Sequence, residues 1–118
     1  MKKTLKGLFC LDHNIKLFIP STVQVDHIDK DLQDKQITLA LELFSICFGG
    51  ATSYEAIGAW NSQTAGLVTE SVTIIESYAT KEAIEQYLTK VIEHAEALKL
   101  AMSQEAISLE YDNKLYFI

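Results

Sequence analysis

The alternation of apolar and polar residues predicts strands in both halves of the chain. Residues 15 to 20, IKLFIP, form a β-rich run that ends at Pro20. Residues 56 to 60 and 67 to 78 predict a short and a long strand, joined by a loop into a hairpin. A last hairpin is predicted where EAISLEY and KLYFI flank the turn pair Asp112-Asn113.

Two segments show the helical period instead. The first has apolar residues at i, i+4, i+7 and i+11, namely Ile37, Leu41, Phe44 and Phe48. Asp31 and Asp34 are candidate N-caps for it, and Gly49-Gly50 is a predicted stop. The second begins after a Thr80 cap and keeps a 3.6-residue period over the apolar positions Ile84, Leu88, Val91, Ala95, Leu98 and Met102.

In order, the main elements predict a single α+β domain over residues 1–118 with the ferredoxin-like βαββαβ order. This order implies an antiparallel sheet with two helices on one face, so the other face is left to solvent or to another subunit. We also expect additional strands at the ends. Residues 5 to 11, LKGLFCL, predict an extra edge strand, with a hairpin turn at residues 12 to 14.

The long strand LVTESVTIIESY places two carboxylates among apolar residues of one parity. If Val68, Val72, Ile74 and Tyr78 face the helices, so do Glu70 and Glu76, while the opposite face carries small polar residues and Ile75. An outward-facing Glu70 would then require a bulge near Ser71. Glu76 lies near the end of the strand, where we expect it to reach solvent.

Several short motifs resemble a family of small uncharacterised bacterial and mobile-element proteins. The shared pattern is IPST at residues 19 to 22, FGGAT at 48 to 52, GAW at 58 to 60, a strand carrying Glu70, and QEA at 104 to 106. The resemblance covers most of the chain from residue 19 onward. It implies a common scaffold and no particular activity.

Charge narrows the possible partners. The chain has a net charge of -6, and its ten basic residues are all lysine. Residues 1 to 22 carry +3, so the remainder carries -9. Because bidentate contacts to phosphates and guanine rely mostly on arginine, we expect no nucleic-acid partner.

The N-terminal apolar run is interrupted by Lys6 and Asp12, so we expect no signal peptide, and no segment is long enough to span a membrane. Cys10 and Cys47 lie far apart in apolar runs, which indicates reduced thiols and a cytoplasmic protein.

Recognisable catalytic and metal-binding motifs are absent from the sequence. It contains no GxSxG elbow, no P-loop and no GxGxxG. His13, His27 and His94 fall in different elements, and the acidic run at residues 26 to 31 lacks the glycine and glutamate of an EF-hand. We therefore predict no metal site and no cofactor.

The remaining candidate site is the hairpin formed by residues 56 to 60 and 67 to 78. Glu70 would lie near Ile57 in this hairpin if the loop closes symmetrically. A carboxylate desolvated beside a tryptophan could bind a ligand or act as an acid or base. The alternative is a structural role, with the tryptophan as a core anchor and Glu70 bonded at a bulge. The candidate ligand-binding residues are Thr52, Ser53, Trp60, Ser62 and Glu70.

For function, the leading hypothesis is a non-enzymatic interaction or regulatory protein of the kind that a mobile element could encode, which acts by binding another macromolecule. The acidic body and the missing catalytic motifs motivate it. One alternative is a small-molecule or catalytic site around Trp60 and Glu70, and another is an acidic immunity-type inhibitor of a basic toxin.

A homodimer or higher oligomer is expected through the open sheet face or the edge strand LYFI.

Overall fold

A five-stranded antiparallel sheet and two helices form the fold. The computed structural model describes residues 2–23 and 26–118. The sheet order is β4-β5-β1-β6-β7, and β2 and β3 pair separately. With α1 and α2, strands β1, β4, β5 and β6 give the ferredoxin-like βαββαβ order, so the predicted fold is confirmed, with β7 as an extra edge strand. The elements are β1 (His13–Pro20), β2 (Thr22–Val23), β3 (Asp26–His27), α1 (Lys30–Phe48), β4 (Thr52–Ser62), β5 (Gly66–Ala79), α2 (Lys81–Ala101), β6 (Ser108–Tyr111) and β7 (Lys114–Phe117).

Helix α1 starts at Lys30, about two turns before Ile37, the first residue of its apolar stripe. The cap is Asp29, whose side chain accepts a hydrogen bond from the backbone of Leu32, so the predicted caps at Asp31 and Asp34 are wrong. Asp31 instead lies in the first turn, where a negative charge favours the helix dipole. The helix ends as predicted at Gly49, whose φ of 90° is left-handed.

Helix α2 follows the predicted pattern closely. Thr80 caps it by accepting a hydrogen bond from the backbone of Ala83 at 3.1 Å. Its periodic apolar residues enter the core or pack against it. No helix in residues 2–23 and 26–118 is both long and apolar enough to cross a membrane.

The predicted N-terminal strand does not form. Residues 5 to 11 contain a turn and irregular backbone, with Leu5, Leu8 and Phe9 exposed. Strand β1 begins at His13, so no hairpin turn occupies residues 12 to 14. The physical reason is the position of β1, which is central and already pairs with β5 on one side and β6 on the other. No free edge remains beside it for a further strand.

The predicted facing of β5 is reversed. Ile75 and Ala79 are fully buried in the core, with Thr73 and Ser77 buried beside them, so these residues face the helices. The other parity, which includes Glu70 and Glu76, therefore lies on the open face of the sheet. Pairing with β4 is continuous from Thr52 to Ser62, so no bulge is needed to turn Glu70 outward.

The large apolar side chains on the helix side of the sheet come mainly from β1, the strand next to β5. Ile15, Leu17 and Ile19 of β1 are completely buried and lie opposite Ser77, Ile75 and Thr73 of β5. Small hydroxyl residues thus fit beneath the helices, and the Ser77 hydroxyl donates a 2.6 Å hydrogen bond to the carbonyl of Gly50. Burial of Ser77 costs little because its polar group is satisfied.

The hairpin of β4 and β5 extends past the rest of the sheet. Strand β1 pairs with β5 only as far as Pro20 opposite Val72, whereas β4 and β5 stay paired to Ser62 opposite Gly66. The molecule is correspondingly elongated, at 58 × 31 × 23 Å. A ledge forms where β1 leaves the sheet and the hairpin continues.

Candidate functional site

Glu70 lies at this ledge. Proline has no amide hydrogen for the next ladder bond, so Pro20 is well suited to end β1. Glu70 is two residues beyond Val72, the partner of Pro20, and has the same parity, so it lies on the open face just past the end of β1. Gly58 is its partner on β4 and leaves the space beside the carboxylate open.

The loop that follows β1 contacts this carboxylate directly. The Thr22 hydroxyl donates a hydrogen bond to Glu70 Oε2. The neighbouring Ser21 hydroxyl donates to the carbonyl of Ser71 at 2.5 Å. Glu70 is half-buried, and Thr22 is buried. The loop therefore fixes the glutamate from one side while the other side stays accessible.

A cavity of about 310 Å³ opens beside Glu70. Its walls come from β1, β4, β5, the segment between α2 and β6, and the start of β6, and most of the lining residues are apolar. Among the described residues that line it, Glu70 alone carries a charge. The lining residues are Phe18, Pro20, Ala56, Ile57, Gly58, Glu70, Val72, Gln104, Ala106, Ile107 and Ser108.

Three of the motifs of the family resemblance meet at this cavity with the strand that carries Glu70, whereas FGGAT at residues 48 to 52 lies elsewhere. IPST supplies Pro20 and the Thr22 hydrogen bond, GAW supplies Gly58, and QEA supplies Gln104 and Ala106. Gln104 also donates a 2.8 Å hydrogen bond to the carbonyl of Thr22. Thr22 and Gln104 were not among the sequence-based candidates, and the signal that could have found them was this shared set of motifs.

Glu76 lies on the same face but has different neighbours. Asn14 donates a 2.8 Å hydrogen bond to its Oε2, and Lys16 Nζ lies 3.8 Å from that oxygen. Lys16 also lies 3.3 Å from Glu110. Desolvation lowers the pKa of Lys16, but the hydrogen bond and charge of Glu110 outweigh it, so the pKa is raised. Glu76 is therefore compensated by a cation.

A larger cavity of about 560 Å³ lies at the Glu76 end of the face, bordered by Gly49, Gly50 and Thr52. The Glu76 carboxylate, which lines this cavity, is already paired with Lys16 and Asn14. Size alone would favour this cavity, but the uncompensated charge of Glu70 makes the smaller one the better candidate for a charged ligand.

The structure separates the five predicted ligand-binding residues. Thr52 lies opposite Glu76, and Ser53 lies next to it, so both are about 20 Å along β4 from Gly58 and Glu70. Ser62 accepts 3.2 Å hydrogen bonds from the backbone of Thr64 and Ala65 and thus closes the hairpin loop.

Trp60 is the one candidate that the structure brings near Glu70. It pairs with Val68 and lies diagonally across from Glu70 on the same face, a separation of about 7 to 8 Å between backbones. The indole is 41% exposed, so it is not a core anchor. Trp60 does not line the cavity, so it lies beside the site rather than in its wall.

The geometry restricts the chemistry of the site. A lone carboxylate over apolar walls attracts a cation that carries apolar groups and repels a phosphate. In the described ranges, no three His, Cys, Asp or Glu side chains come together in a way that could hold a metal ion. The arrangement therefore favours an organic cation as the ligand.

Comparison with known proteins supports a fold assignment. No protein-family model matches the sequence, and no curated protein matches it either. Among solved structures, a phage SAM lyase in complex with S-methyl-5'-thioadenosine superposes with a TM-score of 0.63 at 18% identity, covering 98% of this chain and 95% of that one. The two chains therefore share a fold. The apo state of a phage SAM lyase gives a TM-score of 0.64 at 18% identity, with 90% and 87% covered.

This finding contradicts the leading sequence-based hypothesis. The prediction of a non-enzymatic protein that acts by binding another macromolecule is wrong. Over nearly the whole chain, the fold matches that of a lyase whose substrate is a small molecule, SAM. The immunity-type inhibitor is abandoned with it. The sequence misled here because no local catalytic motif is present, while the Glu70 cavity is assembled from segments far apart in the chain.

Proposed function

We propose that this protein binds S-adenosylmethionine (SAM) through its sulfonium group at the Glu70 cavity and cleaves it to S-methyl-5'-thioadenosine. The observation that carries the proposal is Glu70 itself, the one charged group among the described residues that line a mostly apolar cavity, in a chain that superposes on a phage SAM lyase. The cavity is near the lower end of the range of about 300 to 1,000 Å³ for ligand sites.

The sulfonium group of SAM suits this cavity in both its charge and its apolar substituents. It has a permanent positive charge, and the three groups on sulfur are carbon chains. Glu70 provides the opposite charge, and Phe18, Val72 and Ile107 provide apolar contact. Partial burial strengthens the attraction of the carboxylate for the cation.

The cleavage removes the charge that Glu70 attracts. When the bond from sulfur to the amino-acid side chain breaks, sulfur keeps the electron pair and becomes a neutral thioether. In the same step, the four-carbon fragment either passes a proton from the adjacent carbon to solvent and forms an alkene, or closes a ring as its own carboxylate oxygen bonds to the carbon that sulfur leaves. Neither route consumes water. Apolar walls favour this loss of charge, while Glu70 binds and orients the sulfonium.

Ligand binding with Trp60 as the probe tests the proposal. Trp60 is the single tryptophan of the chain and lies near Glu70, so its fluorescence should report ligands at the site. We expect SAM to bind about tenfold more tightly than S-adenosylhomocysteine, which is its neutral thioether counterpart, a difference of about 1.4 kcal/mol. Rapid mixing measures binding before turnover.

The matched variants are Glu70→Gln and Glu76→Gln, which change two carboxylates on one face of β5. Glu70→Gln should abolish the preference for SAM, while Glu76→Gln should keep it. Equal affinity of the wild type for the charged and neutral ligands, or equal effects of the two substitutions, would refute a sulfonium site at Glu70.

We also propose self-association through the open face and the edge strand. Leu115 and Phe117 of β7 are exposed, at 49% and 71%, and pair with Glu110 and Ser108, which places them on the open face. Light scattering of the wild type should give a multiple of the monomer mass, and Phe117→Lys should lower it. Ile46→Lys, at a 78% exposed position on α1, is the control. A monomeric wild type would exclude the oligomer.

The protein is proposed to work in the cytoplasm. Both cysteines are free, with Cys10 exposed and Cys47 buried. An exposed free thiol is best suited to a reducing compartment. Fractionation of cells that express the protein would locate it directly.

A further inference from the structure

Two residues outside β5 form a chain of hydrogen bonds that ends at the Glu70 carboxylate. Gln104 Nε2 donates to the carbonyl of Thr22 at 2.8 Å, and the Thr22 hydroxyl donates to Glu70 Oε2. We propose that Thr22 and Gln104 are positioning residues, which hold Glu70 toward the cavity so that it distinguishes a cationic from a neutral ligand. This inference rests on the proposed function of the Glu70 cavity.

Glu70 needs such support because of its place in the sheet. Strand β1 ends at Pro20, so no strand pairs with β5 beside Glu70 on that side. A free glutamate side chain has several rotamers, and fixing one of them costs conformational entropy. Within the described chain, Thr22 is the only side chain that donates a hydrogen bond to this carboxylate.

The loop that carries Thr22 is itself held at three consecutive carbonyls. Gln33 of α1 donates to the carbonyl of Pro20 at 3.2 Å. The backbone of Ile28 donates to the carbonyl of Ser21 at 2.8 Å, and Gln104 holds the next carbonyl. Three separate parts of the fold thus fix the loop, which is the arrangement that a precisely placed polar group requires.

Gln104 connects the site to the end of α2. Its amide also donates a 3.0 Å hydrogen bond to the carbonyl of Met102, which is buried at the C-cap of that helix. Gln104 lines the cavity as well. The same side chain therefore sets both the position of Thr22 and one wall of the ligand site.

Substitution of Thr22 tests the role of the hydroxyl. Thr22→Val keeps the branched shape and removes the donor, so we expect the affinity for SAM to fall about tenfold. The affinity for the neutral S-methyl-5'-thioadenosine should not change. Thr22→Ser retains the hydroxyl and should restore the preference for the cation. Gln104→Leu should act in the same direction as Thr22→Val.

A double-mutant cycle separates positioning from a general loss of structure. If Thr22 acts through Glu70, then Thr22→Val should have no further effect on SAM affinity in the Glu70→Gln background. Thr89→Val and Gln86→Leu make the same chemical changes at exposed positions of α2 and are the controls. Equal losses of affinity for the cationic and neutral ligands in Thr22→Val would overturn the inference, as would additive effects in the cycle.

Failure of the proposed function would look different. If the wild type binds neither SAM nor S-methyl-5'-thioadenosine, the SAM site is refuted, and the cycle is then measured by urea unfolding without ligand. Coupling between Thr22→Val and Glu70→Gln would still support the positioning of Glu70. Additive stabilities would overturn it.

Discussion

The two glutamates of LVTESVTIIESY differ in what surrounds them rather than in where they point. Both lie on the open face of β5. Glu76 is held by Asn14 and Lys16, whereas Glu70 receives a hydroxyl and faces an apolar cavity. Only Glu70 therefore presents an uncompensated negative charge to a ligand.

A second residue-scale feature joins β1 to the turn before β7. His13 Nδ1 lies 2.7 Å from Asp112 Oδ2, and Tyr111 OH lies 3.2 Å from the same nitrogen. The hydrogen bond to Asp112 raises the pKa of His13 above 6.5. The backbone N–H of Asn14, followed by His13, lowers the pKa of Asp112 below 3.8.

These shifts predict a pH-dependent stability. A raised pKa in the folded state means that the His13 contribution is full below pH 6.5 and is lost as the pH rises through the folded-state value. The Asp112 contribution is present above pH 3.8 and is lost as the pH falls. The melting temperature of the wild type minus that of His13→Gln should therefore shrink as the pH rises above 6.5.

Asp112→Asn provides the control for this pair. Asp112 has a φ of 47°, in the left-handed region that asparagine tolerates, so the turn should survive. In the Asp112→Asn background, the effect of His13→Gln should no longer change over this pH range. A difference that stays constant with pH in the wild-type background would show that protonation of His13 adds nothing to stability.

The sequence could single out Glu70 but not Thr22 and Gln104, the residues that hold it. Thr22 is 48 residues from Glu70 and 82 from Gln104. Local patterns of polarity say nothing about contacts over such separations, because the fold alone decides which loops meet. The assumed symmetrical loop put Glu70 near Ile57, whereas the structure pairs it with Gly58, the next residue, because the strands stay paired as far as Ser62 and Gly66.

At the scale of elements, the helix boundaries follow from local chemistry. Gly49 has a φ of 90°, while Gly50 has no positive φ, and a methyl group at either position would meet no atom within 4 Å. Gly49→Ala should therefore lower the free energy of unfolding by about 1 kcal/mol through backbone strain. Gly50→Ala should be close to neutral. Urea unfolding of both variants checks this, and equal effects would contradict the cap assignment.

The facing of β5 could not be predicted in the same way. Val68, Val72 and Ile74 make the even parity look like the core side, and the real core side contributes Thr73 and Ser77. Burial of these hydroxyls depends on partners elsewhere, such as the Gly50 carbonyl, and on the bulk that β1 supplies. The sequence of one strand shows neither these hydrogen-bond partners nor the side chains of β1. The alternation of apolar residues therefore predicted the wrong face of β5 as the core side.

At the scale of the whole molecule, the order of elements identified the fold without any motif. The βαββαβ order fixes a central β1 and a neighbouring β5, and it also brings the end of β1, the start of β6 and the β4–β5 hairpin together. The cavity beside Glu70 lies at that meeting point. The site is thus a product of the topology, which explains why no continuous sequence signature announced it.

The most direct test is the formation of product from SAM. Purified wild-type protein is incubated with SAM, and S-methyl-5'-thioadenosine and the four-carbon fragment are measured by chromatography and mass spectrometry. Both should accumulate well above the rate in buffer alone. Glu76→Gln should retain this activity, and Glu70→Gln should be about 100-fold slower. Wild-type protein that forms no S-methyl-5'-thioadenosine, or Glu70→Gln at the wild-type rate, would contradict the assignment of Glu70 as the sulfonium site.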